Sequence, residues 1–161
     1  MALGDNTLRS AAGNSQRGRN PYMVENTVNL ATALSDKGSA LAASDVIPVI
    51  AVKKGTMILN AGIEVTTASD GSTFTVDLGT GVDGDVFVDG FDATSAAAVV
   101  AQNPAAYQPV MAVADDNIDL TIASLSGGAV TSGKLRIWAV LMDCTEMGDM
   151  AANEVDRDTL A

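Results

Sequence analysis

Clusters of Gly, Asp, Ser and Asn divide this chain into a series of short apolar segments, which is the signal for a sandwich or barrel of strands. The breaks fall at Ser35-Asp36-Lys37-Gly38, Lys53-Lys54-Gly55-Thr56, Ser69-Asp70-Gly71-Ser72, Gly79 to Gly84, Gly127-Gly128 and Ser132-Gly133. Between them the side chains alternate. Phe74, Val76 and Leu78 interleave with Thr73, Thr75 and Asp77, a period of two that places one face in a core.

The same reading extends along the chain. Thr27 to Leu34 alternates Val28, Leu30 and Leu34 with polar positions. Val46 to Val52 is a nearly continuous apolar run, expected to be buried on both faces, with Pro48 marking an edge or a bulge. Met57, Leu59, Ala61, Ile63 and Val65 share one face of the next strand, opposite Asn60, Gly62 and Glu64. Val86 to Phe91 forms a short strand, and Thr94 to Gln102, rich in alanine, is expected to make one or two helical turns. Tyr107 to Val113 and Ile118 to Leu125 flank the turn-rich Ala114-Asp115-Asp116-Asn117 and are expected to form a hairpin. Lys134 to Cys144 is apolar on both sides, as befits a central strand or one that faces a second subunit. The fold class that follows is all-β, an antiparallel β-sandwich that is jelly-roll-like, with an extended N-terminal arm.

The expected boundaries are an arm over residues 1–26, a sandwich domain over 27–145 and an acidic tail over 146–161. With 161 residues, one domain buries a sizeable core. Only 4% of them are aromatic, so that core rests on Val, Ile, Leu, Ala and Met. Formal charge is −11 and uneven: Arg9, Arg17 and Arg19 against Asp5 give residues 1–20 a net +2, and the remainder carries −13. An acidic body repels phosphate, so nucleic acid is not an expected partner. The basic arm, extended at about 3.3 Å per residue, is suited to docking on an acidic protein surface.

Residues for chemistry are scarce. The chain has no histidine, which removes Ser-His-Asp and Cys-His catalysis and His-ligated metals. Cys144 stands alone, so no internal disulfide or structural zinc site forms. Asp83 and Asp85, two apart in Asp83-Gly84-Asp85, are weak calcium candidates. EF-hand spacing is not met, and Asp/Gly turn chemistry accounts for them better. Acids crowd from Asp77 to Asp92 without a motif for glycoside hydrolysis, and neither glycine-rich phosphate motif occurs. Met1 to Thr7 lacks the apolar core of a secretory leader, and no apolar run approaches the ~18 residues of a membrane span. The expectation is a soluble, non-enzymatic product of a reducing cytosol that needs no cofactor. Arg136, set in an apolar strand, is expected to snorkel at a rim or to pair with an acidic residue of another subunit.

The segments Val28-Asn29-Leu30-Ala31-Thr32-Ala33-Leu34, Asp45 to Thr56, Asp89-Gly90-Phe91-Asp92-Ala93-Thr94 and Gly133 to Val140 together resemble the head decoration, or capsid cement, proteins of tailed bacteriophages, over roughly residues 27 to 144. The resemblance implies a virion structural protein, made in the host cytoplasm. It would sit on the capsid exterior as a homotrimer and clamp neighbouring major capsid subunits. On that basis Arg9, Arg17 and Arg19 are the candidate capsid contacts, and Arg136, Trp138, Val140 and Met142 the candidates for self-association. A host-surface binding module for glycan or protein, or a neck or tail component, is the alternative.

Overall fold

The computed structural model describes residues 20–101 and 109–144. Nine strands and one helix are found there: β1 (Tyr22–Asn29), α1 (Leu30–Lys37), β2 (Val46–Val52), β3 (Thr56–Thr67), β4 (Thr73–Thr80), β5 (Val88–Asp92), β6 (Val99–Ala101), β7 (Val110–Met111), β8 (Asp116–Ser126) and β9 (Lys134–Asp143). One sheet runs β1-β9-β3-β6, with β7 also on β3. The second runs β2-β8-β4-β5.

Every pairing is antiparallel. β6 and β7 pair with different stretches of β3, around Ile63 and around Met57, and so occupy one strand position in two pieces. The pairings are therefore nested. β4 pairs with β5, β3 with β6 and β7, β2 with β8, and β1 with β9, as if one long hairpin were rolled onto itself. That is the jelly roll, and it makes the fold class an antiparallel sandwich of this kind.

The core lies between the inner faces. Ile58, Ala61, Ile63 and Val65 of β3 and Leu135, Ile137, Ala139 and Leu141 of β9 meet Phe74, Val76 and Leu78 of β4 and Ile118, Leu120 and Ile122 of β8, all buried. Burial of each Val, Leu, Ile or Phe side chain among them contributes about 1.5–3 kcal/mol. The alternation in β4 and β9 is as the sequence dictates.

Elsewhere the local structure departs from the sequence reading. Thr27 to Leu34 is not one strand, because β1 ends at Asn29 and α1 begins at Leu30. The Asn29 side chain accepts from the Ala31 N–H at 3.0 Å, and Gly38, at φ +70°, donates to the Leu34 and Ser35 carbonyls, so both ends of the helix are capped. Leu30 and Leu34 fit a helical i, i+4 spacing as well as a period of two, and the caps decide between them. β1 also begins at Tyr22, inside the stretch assigned to the arm; residues 1–19 and 145–161 lie outside the described residues.

β2 is an edge strand with a bulge between Pro48 and Ile50, as Pro48 indicates. The bulge leaves Val46, Pro48 and Ala51 exposed, so the run is not buried on both faces. A second bulge, between Ile58 and Asn60, shifts the phase of β3, and Ile58 rather than Met57 or Leu59 joins the core. No helix forms over residues 94–101. Ala97 has φ +62°, its N–H donates to the Val65 carbonyl, and Val99 and Val100 enter β6 on β3. The anticipated hairpin at Ala114 to Asn117 is instead a crossing between sheets, because β7 pairs with β3 and β8 with β2 and β4. Residues 102–108, including Gln102 and Tyr107, lie outside the described residues.

Candidate functional site

The outer face of the first sheet follows from register, because residues directly opposite share a face. Met23 stands opposite Val140, Glu25 opposite Trp138, and Thr27 opposite Arg136. From β3, Met57 meets Met142, Asn60 meets Val140, Gly62 meets Trp138, and Glu64 meets Arg136. Met111 lies across from Met57. Apolar side chains thus fill one end of this face and charges the other. Met23 is 64% exposed and Met111 41%, while Trp138, Val140 and Met142 are half-buried by their neighbours.

Trp138 is seated by an absence. A Cβ on Gly62 would lie 2.5 Å from the indole Cζ2 and 2.6 Å from the Val100 carbonyl oxygen, so the ring packs across bare backbone. Beside it, the Asn60 Oδ1 is buried without a hydrogen-bond partner.

At the charged end, the Arg136 Nε–H donates to Glu64 Oε2 at 2.6 Å, Nη2 also pairs with Glu64, and Nη1 reaches Glu25 Oε2 at 3.4 Å. Arg136, expected to snorkel at a rim or to pair with another subunit, forms ion pairs within the chain, across three adjacent strands. Such exposed pairs contribute about 0–1 kcal/mol each. Their larger effect is to hold Arg136 against carboxylates of its own sheet, beside Lys134 as the second cation of this face.

The second sheet is different outside. Its four strands carry Asp77, Asp89, Asp92, Asp116 and Asp119 and no lysine or arginine. Desolvation, with the Asp116 charge added, pushes the Asp119 carboxyl up from its ordinary value. Asp85 is also pushed up, chiefly by a hydrogen bond with Asp83, then by burial and the charges of Asp83 and Asp89. Asp83 and Asp85 therefore sit together in the β4–β5 connection. There the Asp83 carbonyl accepts from the Thr80 N–H at 2.7 Å, and the backbone of residues 83–84 packs on Gly79. Among the described residues, no group of three or more His, Cys, Asp or Glu side chains is placed to hold a metal ion. Also among the described residues, no helix is long and apolar enough to cross a membrane.

Three further features lie outside the sheet faces. A cavity of about 430 Å³ opens between α1 and β2, floored by Leu41 and Ile47 and rimmed by the Lys37–Asp45 ion pair at 2.5 Å. Opposite ends of the loops are joined where Asp70 accepts from the Thr131 hydroxyl and the Thr131 and Ser132 N–H groups; these bonds hold its carboxyl at about 2. The single Cys144, half-buried, closes β9 with its N–H on the Gly55 carbonyl.

Of the sequence-selected residues, Arg136, Trp138, Val140 and Met142 share the outer face of the first sheet, and Asp83 and Asp85 lie together in the β4–β5 connection. Arg9, Arg17 and Arg19 lie outside the described residues. Sequence reasoning missed Met23, Met57 and Met111 as members of the face, and Glu25 and Glu64 as partners of Arg136. Only the strand order brings these together.

No family model matches the chain, and no curated protein sequence matches it. Solved structures do share its fold. A chain in the capsid of Ralstonia phage GP4 is 17% identical with a TM-score of 0.56, over 79% of this chain and 86% of that one. A chain of the Cyanophage Pam1 capsid asymmetric unit is 14% identical with a TM-score of 0.55, over 76% and 84%. A chain of the acidic stable capsid structure of Helicobacter pylori bacteriophage KHP30 is 11% identical with a TM-score of 0.51, over 76% and 86%.

Proposed function

We propose that this chain is a non-enzymatic structural protein of a bacteriophage virion that binds the outer surface of the capsid and clamps neighbouring major capsid subunits. The observation that carries the reading is the jelly roll itself, shared over about three quarters of the chain with proteins of three phage capsids. The chemistry of the chain supports it. Without histidine, and with its aspartates spent on turns and loop clasps, the fold offers surfaces rather than reacting groups. On this reading the chain acts as a trimer and does its work by mass action. A protein that binds the mature lattice and not its precursor shifts the equilibrium towards the mature state.

The basic segment holding Arg9, Arg17 and Arg19 contacts capsid carboxylates in this proposal, while the acidic body faces outward. Co-sedimentation with mature heads stripped of accessory proteins tests it. The full chain pellets with heads, and removal of residues 1–19 weakens binding without lowering the melting temperature of the free protein. A chain that stays in the supernatant at every concentration overturns the capsid reading. Unchanged binding after truncation overturns the role of the arginines.

A further inference from the structure

We infer that the outer face of the first sheet is the surface through which one copy of this chain meets another, with Trp138 at its centre. The inference rests on the reading above only for the expectation of an oligomer; the choice of face comes from charge and area. Each sheet has one outer face available to a second copy. That of the second sheet carries aspartates without a single basic residue in its strands, and two such faces repel. On the first sheet, Lys134 and Arg136 balance Glu25 and Glu64 of the same chain, and Met23, Met57, Met111, Val140 and Met142 bring no charge. An identical acidic body therefore approaches this face with a smaller like-charge penalty than the outer face of the second sheet.

The size of the face is sufficient. Four strand positions at ~4.8 Å and the ten residues of β9 at ~3.4 Å give on the order of 600 Å². Two faces of that size bury about 1,200 Å², the lower bound of a specific protein interface. The side chains suit the task as well. Methionine is unbranched and polarizable, and adapts to a neighbour's contours where copies turn this face to a common axis. Trp138, laid flat over Gly62, gives the centre of the face a broad ring without a protruding Cβ beneath it.

Because Trp138 is the sole tryptophan, it reports on this face directly. The experiment uses the full chain. Sedimentation velocity across a concentration series is paired with acrylamide quenching of Trp138, for the wild type, for Met23→Glu with Met111→Glu, and for Val82→Glu, which is 85% exposed on the β4–β5 connection. The expected result is wild-type self-association with quenching that falls severalfold as it proceeds. The double variant is monomeric at the same concentrations, and Val82→Glu behaves as the wild type. Both substituted methionines are exposed, and circular dichroism melts verify that the variants fold. A wild type that stays monomeric at high micromolar concentration overturns the inference, and so does association that survives the double variant. Head co-sedimentation separates the two proposals, since a monomer that pellets with heads defeats this one alone.

Discussion

The two sheets share a core equally but face outward in opposite styles. Inside, β4 and β8 on one side and β3 and β9 on the other present fully buried Val, Ile, Leu and Phe. Outside, the second sheet shows Asp, Thr, Ser and Asn beside the exposed Val46, Pro48 and Ala51 of its edge strand, while the first shows methionines, a tryptophan and the balanced charges of Lys134, Arg136, Glu25 and Glu64. The difference teaches where water is meant to stay. A face of aspartates without cations keeps its charges only when hydrated, whereas apolar surface left 41% exposed at Met111 and 64% at Met23 costs free energy that covering it would recover.

The largest effects test whether the inner faces are one core. Phe74→Ala in the second sheet and Ile137→Ala in the first should destabilise by about 3–5 and 2–5 kcal/mol respectively, with one cooperative urea transition in each case. Separate transitions for the two sheets would break the shared-core half of the comparison.

A smaller effect sharpens the outer half. Gly62→Ala must displace the indole of Trp138 and should cost about 1–3 kcal/mol together with a change in tryptophan emission. Gly79→Ala, which strikes the backbone of residues 83–84 instead, should cost at least as much and leave that emission unchanged. Equal emission changes for both would mean that the indole is not held as described.

Acid titration gives the smallest effects, with opposite signs for Asp119 on the second sheet and for the loop clasp at Asp70. The folded-state pKa of Asp119 is raised above 3.8, so its ionised form opposes folding. That cost is absent below 3.8 and grows as pH rises through the raised value. Asp119→Asn should therefore stabilise the protein at neutral pH, by up to about 1 kcal/mol, and by nothing at low pH. Asp70, held at about 2, works the other way. Its contribution is present above 3.8 and is lost as pH falls from 3.8 towards 2, so Asp70→Asn should flatten the acid limb of a stability profile over that interval. A stability profile for Asp119→Asn that runs parallel to the wild type at all pH values would show that burial of this carboxylate has no energetic weight.

Much of the fold was legible because β4 alternates cleanly, β9 is an apolar run on both faces as a central strand requires, and Pro48 announces an edge. What was not legible has physical causes. An eight-residue helix such as α1 spans too few turns for its period to be told from that of a strand, and only the Asn29 and Gly38 caps distinguish them. The alanines at 96–98 have high helix propensity, but the pairing of Val99 and Val100 with β3 overrides it. β7 and β8 looked like a hairpin because adjacency in sequence usually means adjacency in a sheet, and a jelly roll violates that by sending successive strands to opposite layers. The candidate face shows the same limit. Trp138, Val140 and Met142 could be grouped from one strand, whereas Met23, Met57 and Met111 come from three others and required the register.

The nested pairing also sets an order of events in time. Partners lie close in sequence at the β4–β5 pair, where Thr75 meets Asp92, and far apart at β1–β9, where Tyr22 meets Leu141. Closing a loop costs more as it lengthens, so assembly proceeds most readily from the inner pair outward, like a zip, and the first strand waits for the last. β9 is the spine of the first sheet, flanked by β1 on one side and β3 on the other. A ribosome must therefore release nearly the whole folding unit before that sheet exists, and its methionine face is the last part of the surface to be made.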